Sequence, residues 1–91
     1  MNKSLTLLNL DSNKIQSRGV KSLAKVLRRN RTLGVLSLRG NAFERSGVMA
    51  LAKALRGNFW LTELALEHNQ IGSEAVQHLR FAARRCLTIT T

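Results

Sequence analysis

The sequence predicts an α/β fold in which three strand-and-helix units stack side by side as a solenoid. Three observations predict it. The openings LTLLNLDSN (5–13), LGVLSLRGN (33–41) and LTELALEHN (61–69) recur 28 residues apart, each closes on an asparagine, and each is followed by a stretch with apolar residues at helical spacing. Self-similarity at such a period marks a repeat architecture, whose units bury their apolar faces against neighbours. The repeats run 4–31, 32–59 and 60–87, an incomplete fourth starts at 88–91, and residues 1–91 read as a single domain. The first two repeats agree at 12 positions and the first and third at 11, most of them the apolar, Gly and Asn positions that set backbone and core.

Each opening reads as a short strand. Leu8 and Leu10, Leu36 and Leu38, and Leu64 and Leu66 point one way while their neighbours point the other, because successive side chains alternate across a strand. Asn13, Asn41 and Asn69 then stack in register, and an amide that both donates and accepts can serve the backbone groups that the turn leaves unpaired. The second halves are helical, with Val20, Leu23, Ala24 and Leu27 on one face of the first and Val48, Leu51, Ala52 and Leu55 on one face of the second. Gly19 and Gly47 imply a close approach of helix to strand, with Ala75 as the small substitute in the third repeat. Ser17, Ser46 and Ser73 are the expected helix N-caps.

The combined motif, Leu-x-x-Leu-x-Leu-x-x-Asn-x-Ile and then Gly-x-x-x-Leu-Ala-x-x-Leu, resembles the leucine-rich repeats of the ribonuclease-inhibitor subfamily. The uniform repeat is most similar to the C-terminal repeats of NOD-like receptors, and the resemblance covers nearly the whole chain. It implies a curved stack with parallel strands on the concave side, helices on the convex side, and a macromolecular partner. The nucleotide-binding and effector domains of those receptors are not in these 91 residues, so neither signalling nor ATP hydrolysis carries over.

The pattern frays in the last helix, where Arg80 replaces Ala24 and Ala52, Ala83 replaces Leu27 and Leu55, and Cys86 replaces Asn30 and Asn58. A terminal repeat often turns polar where no neighbour docks, so Arg80 reads either as a capping change or as drift in the last repeat. Both ends of the stack look bare, so the sequence suggests a fragment, a reduced protein, or a subunit that stacks end to end with another chain or with itself.

Composition narrows the function. Fifteen Lys and Arg against five Asp and Glu give a formal charge of +10, which suits an acidic protein, a nucleic acid or another acidic surface. The lone Cys86 allows no intrachain disulfide and points to a reducing compartment, the cytoplasm first and the nucleus second. No apolar run approaches the roughly 20 residues of a membrane span, and a repeat that opens by Ser4 leaves no room for a removable signal peptide. Enzyme chemistry lacks its parts. Glu63 and Glu67 lie about 13 Å apart along a strand, too far for a paired-carboxylate mechanism. His68 and His78 have no third ligand at metal spacing, Cys86 beside Arg84 and Arg85 reads as a small replacement for asparagine, and no cofactor or metal is expected.

Two surfaces remain. On the concave sheet the outward residues form rows: Leu7, Val35 and Glu63; Asn9, Ser37 and Ala65; Asp11, Arg39 and Glu67. These are the candidate contacts for another protein, with Arg39 between two carboxylates either as an internal charge ladder or as a recognition element. On the convex side Lys25, Arg28, Arg29, Lys53, Arg56, Arg84 and Arg85 are the anion-binding candidates, and Arg28, Arg56 and Arg84 form one row. They support the alternative function, binding of RNA or another polyanion. Cations near helix C-termini also oppose the helix dipole and need no ligand, although that does not explain why net charge falls from +7 to +3 to 0 along the repeats. Phe59 and Trp60 replace Arg31 and Thr32 at the second junction, where Trp60 is expected to be tucked in as a seal rather than exposed as an anchor.

Overall fold

Each leucine-rich opening yields a strand of only three residues, because the chain turns toward its helix as soon as the inward leucines are placed. The computed structural model describes residues 6–83 and 87–91. Strands β1 (Leu7–Asn9), β2 (Val35–Ser37), β3 (Glu63–Ala65) and β4 (Thr88–Thr90) form one parallel sheet in sequence order, with helices α1 (Gln16–Leu27), α2 (Arg45–Arg56) and α3 (Ser73–Ala83) between them in the chain. Leu8, Leu36 and Leu64 stand in register, as the period requires. Strands pack ~4.8 Å apart whereas helices need ~8 to 10 Å, so a stack of such units bends with its strands on the inside.

The core lies between sheet and helices. Leu36, Leu38, Phe43, Val48, Leu51, Leu64 and Leu79 are fully buried, each at a gain of about 1.5 to 3 kcal/mol over an exposed side chain. In the first repeat the same places are held by Leu8, Leu10, Ile15 and Leu23, which are only half-buried. The middle repeat, covered on both sides, carries the best-packed core.

The asparagines form the expected ladder. Asn41, wholly buried, accepts at Oδ1 from the Asn13 and Ile15 N–H groups at 2.8 and 3.3 Å and donates through Nδ2 to the Leu10 and Arg39 carbonyls at 2.8 and 3.2 Å. Asn69 repeats the arrangement one unit on, accepting from Asn41 N–H at 2.7 Å and donating to the Leu38 and Leu66 carbonyls at 2.8 and 3.0 Å. The residue before each asparagine takes a left-handed backbone, with φ of 57° at Ser12, 63° at Gly40 and 62° at His68. Only glycine does so without steric cost.

A second ladder joins the helix-to-strand connections. Asn58 accepts from the Trp60 and Leu61 N–H groups at 2.9 Å each and donates to the Leu27 and Asn30 carbonyls at 2.7 and 3.2 Å. Asn30 accepts from the Thr32 and Leu33 N–H groups at 3.0 and 2.6 Å.

Several local expectations are corrected. Gly19 and Gly47 pack against the apolar residue that enters the helix rather than against a strand: a Cβ at Gly47 would stand 2.9 Å from Phe43 Cδ2, and one at Gly19 would meet Ile15. Ser17 and Ser46 lie inside helices that begin one residue earlier, and neither helix has a side-chain cap. Ser73 is itself the first residue of α3. The first donor of α1 is served from the neighbouring repeat instead, Gln16 N–H donating to the Asn41 carbonyl at 2.9 Å, while in the loop ahead of α3 Gln70 N–H donates to the Phe43 carbonyl at 3.2 Å. The Ser17 hydroxyl is turned across to accept from Glu44 N–H at 3.0 Å.

The chain's last segment also departs from the period. A fourth repeat in step would put Thr88 and Ile89 at the places of Thr32 and Leu33; they pair with Glu63 and Leu64, three residues early. Hydrophobic alternation, not the period, sets this register: apolar Ile89 between Thr88 and Thr90 fills the core place of Leu64, and a slip of one residue would expose it. Arg80 donates from Nη2 to the Ile89 carbonyl at 3.3 Å, so the polar change in the last helix ties it to the last strand. Cys86 lies outside the described residues.

Replacing Asn41 with Ala takes two donors and two accepting interactions from a buried site and should cost about 3 kcal/mol or more. Asn13→Ala, at the solvent end of the ladder, should cost about 1 kcal/mol, and urea denaturation compares the two. Gly47→Ala should destabilise by about 1 to 3 kcal/mol, because buried Phe43 has nowhere to move.

Candidate partner-binding surfaces

The inward leucines fix what the sheet shows to the outside. Leu7, Val35, Glu63 and Thr88 stand side by side in one row, and Asn9, Ser37, Ala65 and Thr90 in the next. The first row is open: Leu7 is 56% exposed, Val35 is half-buried and Glu63 is exposed. The second is partly closed. Ser37 and Ala65 are buried, so two of the nine sheet candidates present no contact surface. Ser37 is tied down by donating its hydroxyl to Asp11 Oδ1 at 2.6 Å, and Ala65 is too short to reach past its register neighbours Ser37 and Thr90.

Just beyond the strands Asp11, Arg39 and Glu67 form the charge ladder. Arg39 donates from Nε to Glu67 Oε1 at 2.9 Å and lies 3.6 Å from Asp11 Oδ2 through Nη1. Asp11 Oδ1 also accepts from the Arg39 backbone N–H at 2.8 Å, and Glu67 Oε1 accepts from the Thr90 hydroxyl at 3.0 Å. The Ser37 hydroxyl, ahead of Arg39, holds the Asp11 carboxyl below its usual range; the hydrogen bond from Arg39 does the same for Glu67 and raises Arg39 in turn. The ladder is therefore a fixed polar edge, separated from the open first row by the partly closed second. Sequence reasoning missed Thr88 and Thr90 as members of these rows, although the Thr-Ile-Thr alternation carried the signal.

On the helix side most of the described cationic candidates gather around the end of α1, where Lys25, Arg28, Arg29 and Arg31 line one cavity. Lys25, Arg28 and Lys53 meet, with Lys21, across a shallow groove between α1 and α2 that is floored by Ala24, Met49, Ala50 and Ala54. Arg29 joins Arg28 and Arg31 in a different cleft, between the connections that follow α1 and α2. Arg56 is exposed but lines neither, and Arg84 and Arg85 lie outside the described residues. The basic stripe does not continue onto α3 at the place of Lys25 and Lys53, where Phe81 stands 86% exposed. Trp60 is not tucked in: it is 47% exposed and Phe59 56%, because their backbone is held outward by Asn58.

Among the described residues no group of His, Cys, Asp and Glu could hold a metal, and no helix is long and apolar enough to cross a membrane. His68 serves the left-handed turn before Asn69.

Comparison with known proteins agrees with this geometry. The profile of the family described as Leucine Rich repeat matches residues 2–24, 29–52 and 57–79, once per repeat. The chain belongs to the leucine-rich repeat family. No curated protein matches it significantly. Among solved structures, the tropomodulin C-terminal domain of Caenorhabditis elegans matches this leucine-rich repeat chain with a TM-score of 0.82 at 19% identity, over 90% of this chain and 50% of that one. At that identity the likeness speaks for the fold alone, and the chain spans about half the length of the structure it matches.

The ladder gives the leucine-rich repeat stack a definite acid response. Asp11 and Glu67 are held low in the folded state, so the stability they supply is complete above the ordinary carboxylate range and is lost as pH falls through their lowered values. Urea midpoints should drop on acidification, and the drop should shrink in the Arg39→Ala and Glu67→Gln variants.

Proposed function

We propose that the chain, as a single leucine-rich repeat domain over residues 1–91, is a non-enzymatic protein-interaction module of the ribonuclease-inhibitor type with NOD-like receptor repeats as its nearest pattern. The 28-residue repeat with a full helix in each unit supports that subfamily. The observation that carries the function is the open row of Leu7, Val35 and Glu63 on the same sheet side as the ordered ladder of Asp11, Arg39 and Glu67, one row away. An exposed leucine with a pre-organised charge ladder farther along the same side gives a partner an apolar anchor and a polar register. Asn9 extends the contact, whereas Ser37 and Ala65 support it from beneath. Arg39 commits part of its guanidinium to the ladder, and its remaining donors are available to a partner's carboxylate or carbonyl. A cytoplasmic setting is consistent with the single cysteine.

A second reading within the same class is end-to-end stacking. Leu8, Leu10 and Leu23 are half-buried where their counterparts Leu36, Leu38 and Leu51 are fully buried, so the side of the first repeat away from the second shows apolar surface that another repeat would cover. A further chain or a second copy fits it by the same packing that joins the first two repeats.

The immobilised chain should retain a protein partner after nuclease treatment, and Leu7→Asp or Arg39→Ala should weaken that partner about tenfold or more, the loss typical of a truncated anchor. Unaltered retention by both variants would place the contact elsewhere. Sedimentation velocity should show association that rises with concentration and is lost in Leu23→Lys; a monomer at all concentrations would rule out stacking between copies.

A further inference from the structure

The cleft between the two helix-to-strand connections is built from unlike parts. Arg28, Arg29 and Arg31 come from the connection after α1, and Phe59 and Trp60 from the connection after α2. Asn58, buried beneath, bonds to the backbone of Leu27 at the end of α1, of Asn30 in the first connection and of Trp60 and Leu61 in its own, so it fixes the two connections that carry the arginines and the aromatic rings relative to one another. No acidic residue lines the cleft. We propose that this cleft binds single-stranded nucleic acid, with the arginines on successive phosphates and the bases stacked on Trp60 and Phe59.

The charge is more than helix termini require. Each helix C-terminus presents about half a negative charge, and two of them face three arginines here, with Lys25 and Arg56 exposed nearby. The connections from 28 to 34 and from 57 to 62 contain no carboxylate; Asp11, Glu44, Glu67 and Glu74 lie on the sheet side or at the opposite, helix-entry edge, and Glu63 begins β3. Dipole compensation explains cations. It does not explain the half-exposed indole of Trp60 beside them, which forgoes burial that a smaller polar residue would not have needed. Arginine and aromatic faces side by side match a strand of phosphates and π-faced bases, and the match is tolerant of sequence because every base presents such a face. A duplex, whose bases are already stacked, has nothing to offer the rings.

Trp60 is the sole tryptophan and the chain has no tyrosine, so its fluorescence reports on this cleft alone. A short oligouridylate should quench Trp60, and an oligoglutamate of equal charge should not. Arg28→Gln, Arg29→Gln and Arg31→Gln together should flatten the log–log salt dependence of oligouridylate binding by up to ~2 units, at ~0.7 for each single-strand phosphate that is no longer neutralised. Should the triple variant lose its helical circular dichroism, Arg31→Gln alone should flatten the slope by ~0.7. Phe59→Ala, which keeps the reporter, should weaken binding about tenfold. Absence of quenching, a salt slope unmoved by the arginine variants, or equal binding of oligoglutamate that is insensitive to Phe59→Ala would overturn the proposal, the last assigning the cleft to an acidic protein segment.

Discussion

A parallel strand that must turn at once into a helix leaves its last N–H and C=O groups inside the stack, where water cannot reach them, and the whole molecule rests on how those groups are satisfied. An unmet buried backbone group costs as much as a lost hydrogen bond. Asn41 meets four at a time, two donors on the repeat before it and carbonyls at Leu10 and Arg39, while its own N–H goes to Asn69. Neither aspartate nor leucine can do this: the first has no donor and the second has neither. The amide therefore fixes the register between repeats, and the left-handed residue before it at Ser12, Gly40 and His68 is the backbone shape that aims it.

Once register is fixed, the surfaces follow. Inward positions go to leucines, so the outward positions of successive strands form continuous rows, and the residue just past each strand comes next to its counterpart one repeat away. Asp11, Arg39 and Glu67 become neighbours only for this reason. The opposite edge is organised by Asn30 and Asn58, which brings Arg28, Arg29 and Arg31 up to Phe59 and Trp60. Each asparagine series thus holds one of the two surfaces with recognition chemistry, and the leucine core spaces them apart.

Much of this was legible in the sequence because a repeat states its rules more than once. The strand pairing, the asparagine ladder and the position of Arg39 follow from period and alternation. What escaped depends on depth rather than order. Ser37 and Ala65 occupy outward places, yet Ser37 is held down by its hydroxyl bond to Asp11 and the Ala65 methyl is too short to stand clear, and periodicity reports neither. The N-cap serines failed for a related reason: the signal for capping is local, whereas the first donor of α1 is met by a carbonyl of the next repeat, at Asn41. Trp60 is out of reach of such reasoning because its exposure is set by Asn58 holding the backbone, not by the hydrophobicity of the indole. The early fourth strand shows which rule dominates when two conflict, since Ile89 obeys burial and abandons the period.

The arrangement also bears on how the two surfaces relate. In a solenoid each unit contacts only its neighbours, so stability is close to a sum of unit and interface terms. The second repeat is central to both surfaces, supplying Val35 and Arg39 to the sheet side and Phe59 to the cleft, with Trp60 immediately after it, and it is also the unit whose core is fully buried. Its side chains can carry recognition on two edges because packing on both sides has already fixed its backbone, whereas the first repeat contributes long, exposed cations that need no such support. Changes confined to Arg28, Arg29 or Arg31 and changes to Leu7 share no partners and should act independently. A change at Asn41 acts on the sheet side and a change at Asn58 on the cleft, because each removes the constraint that placed its own surface.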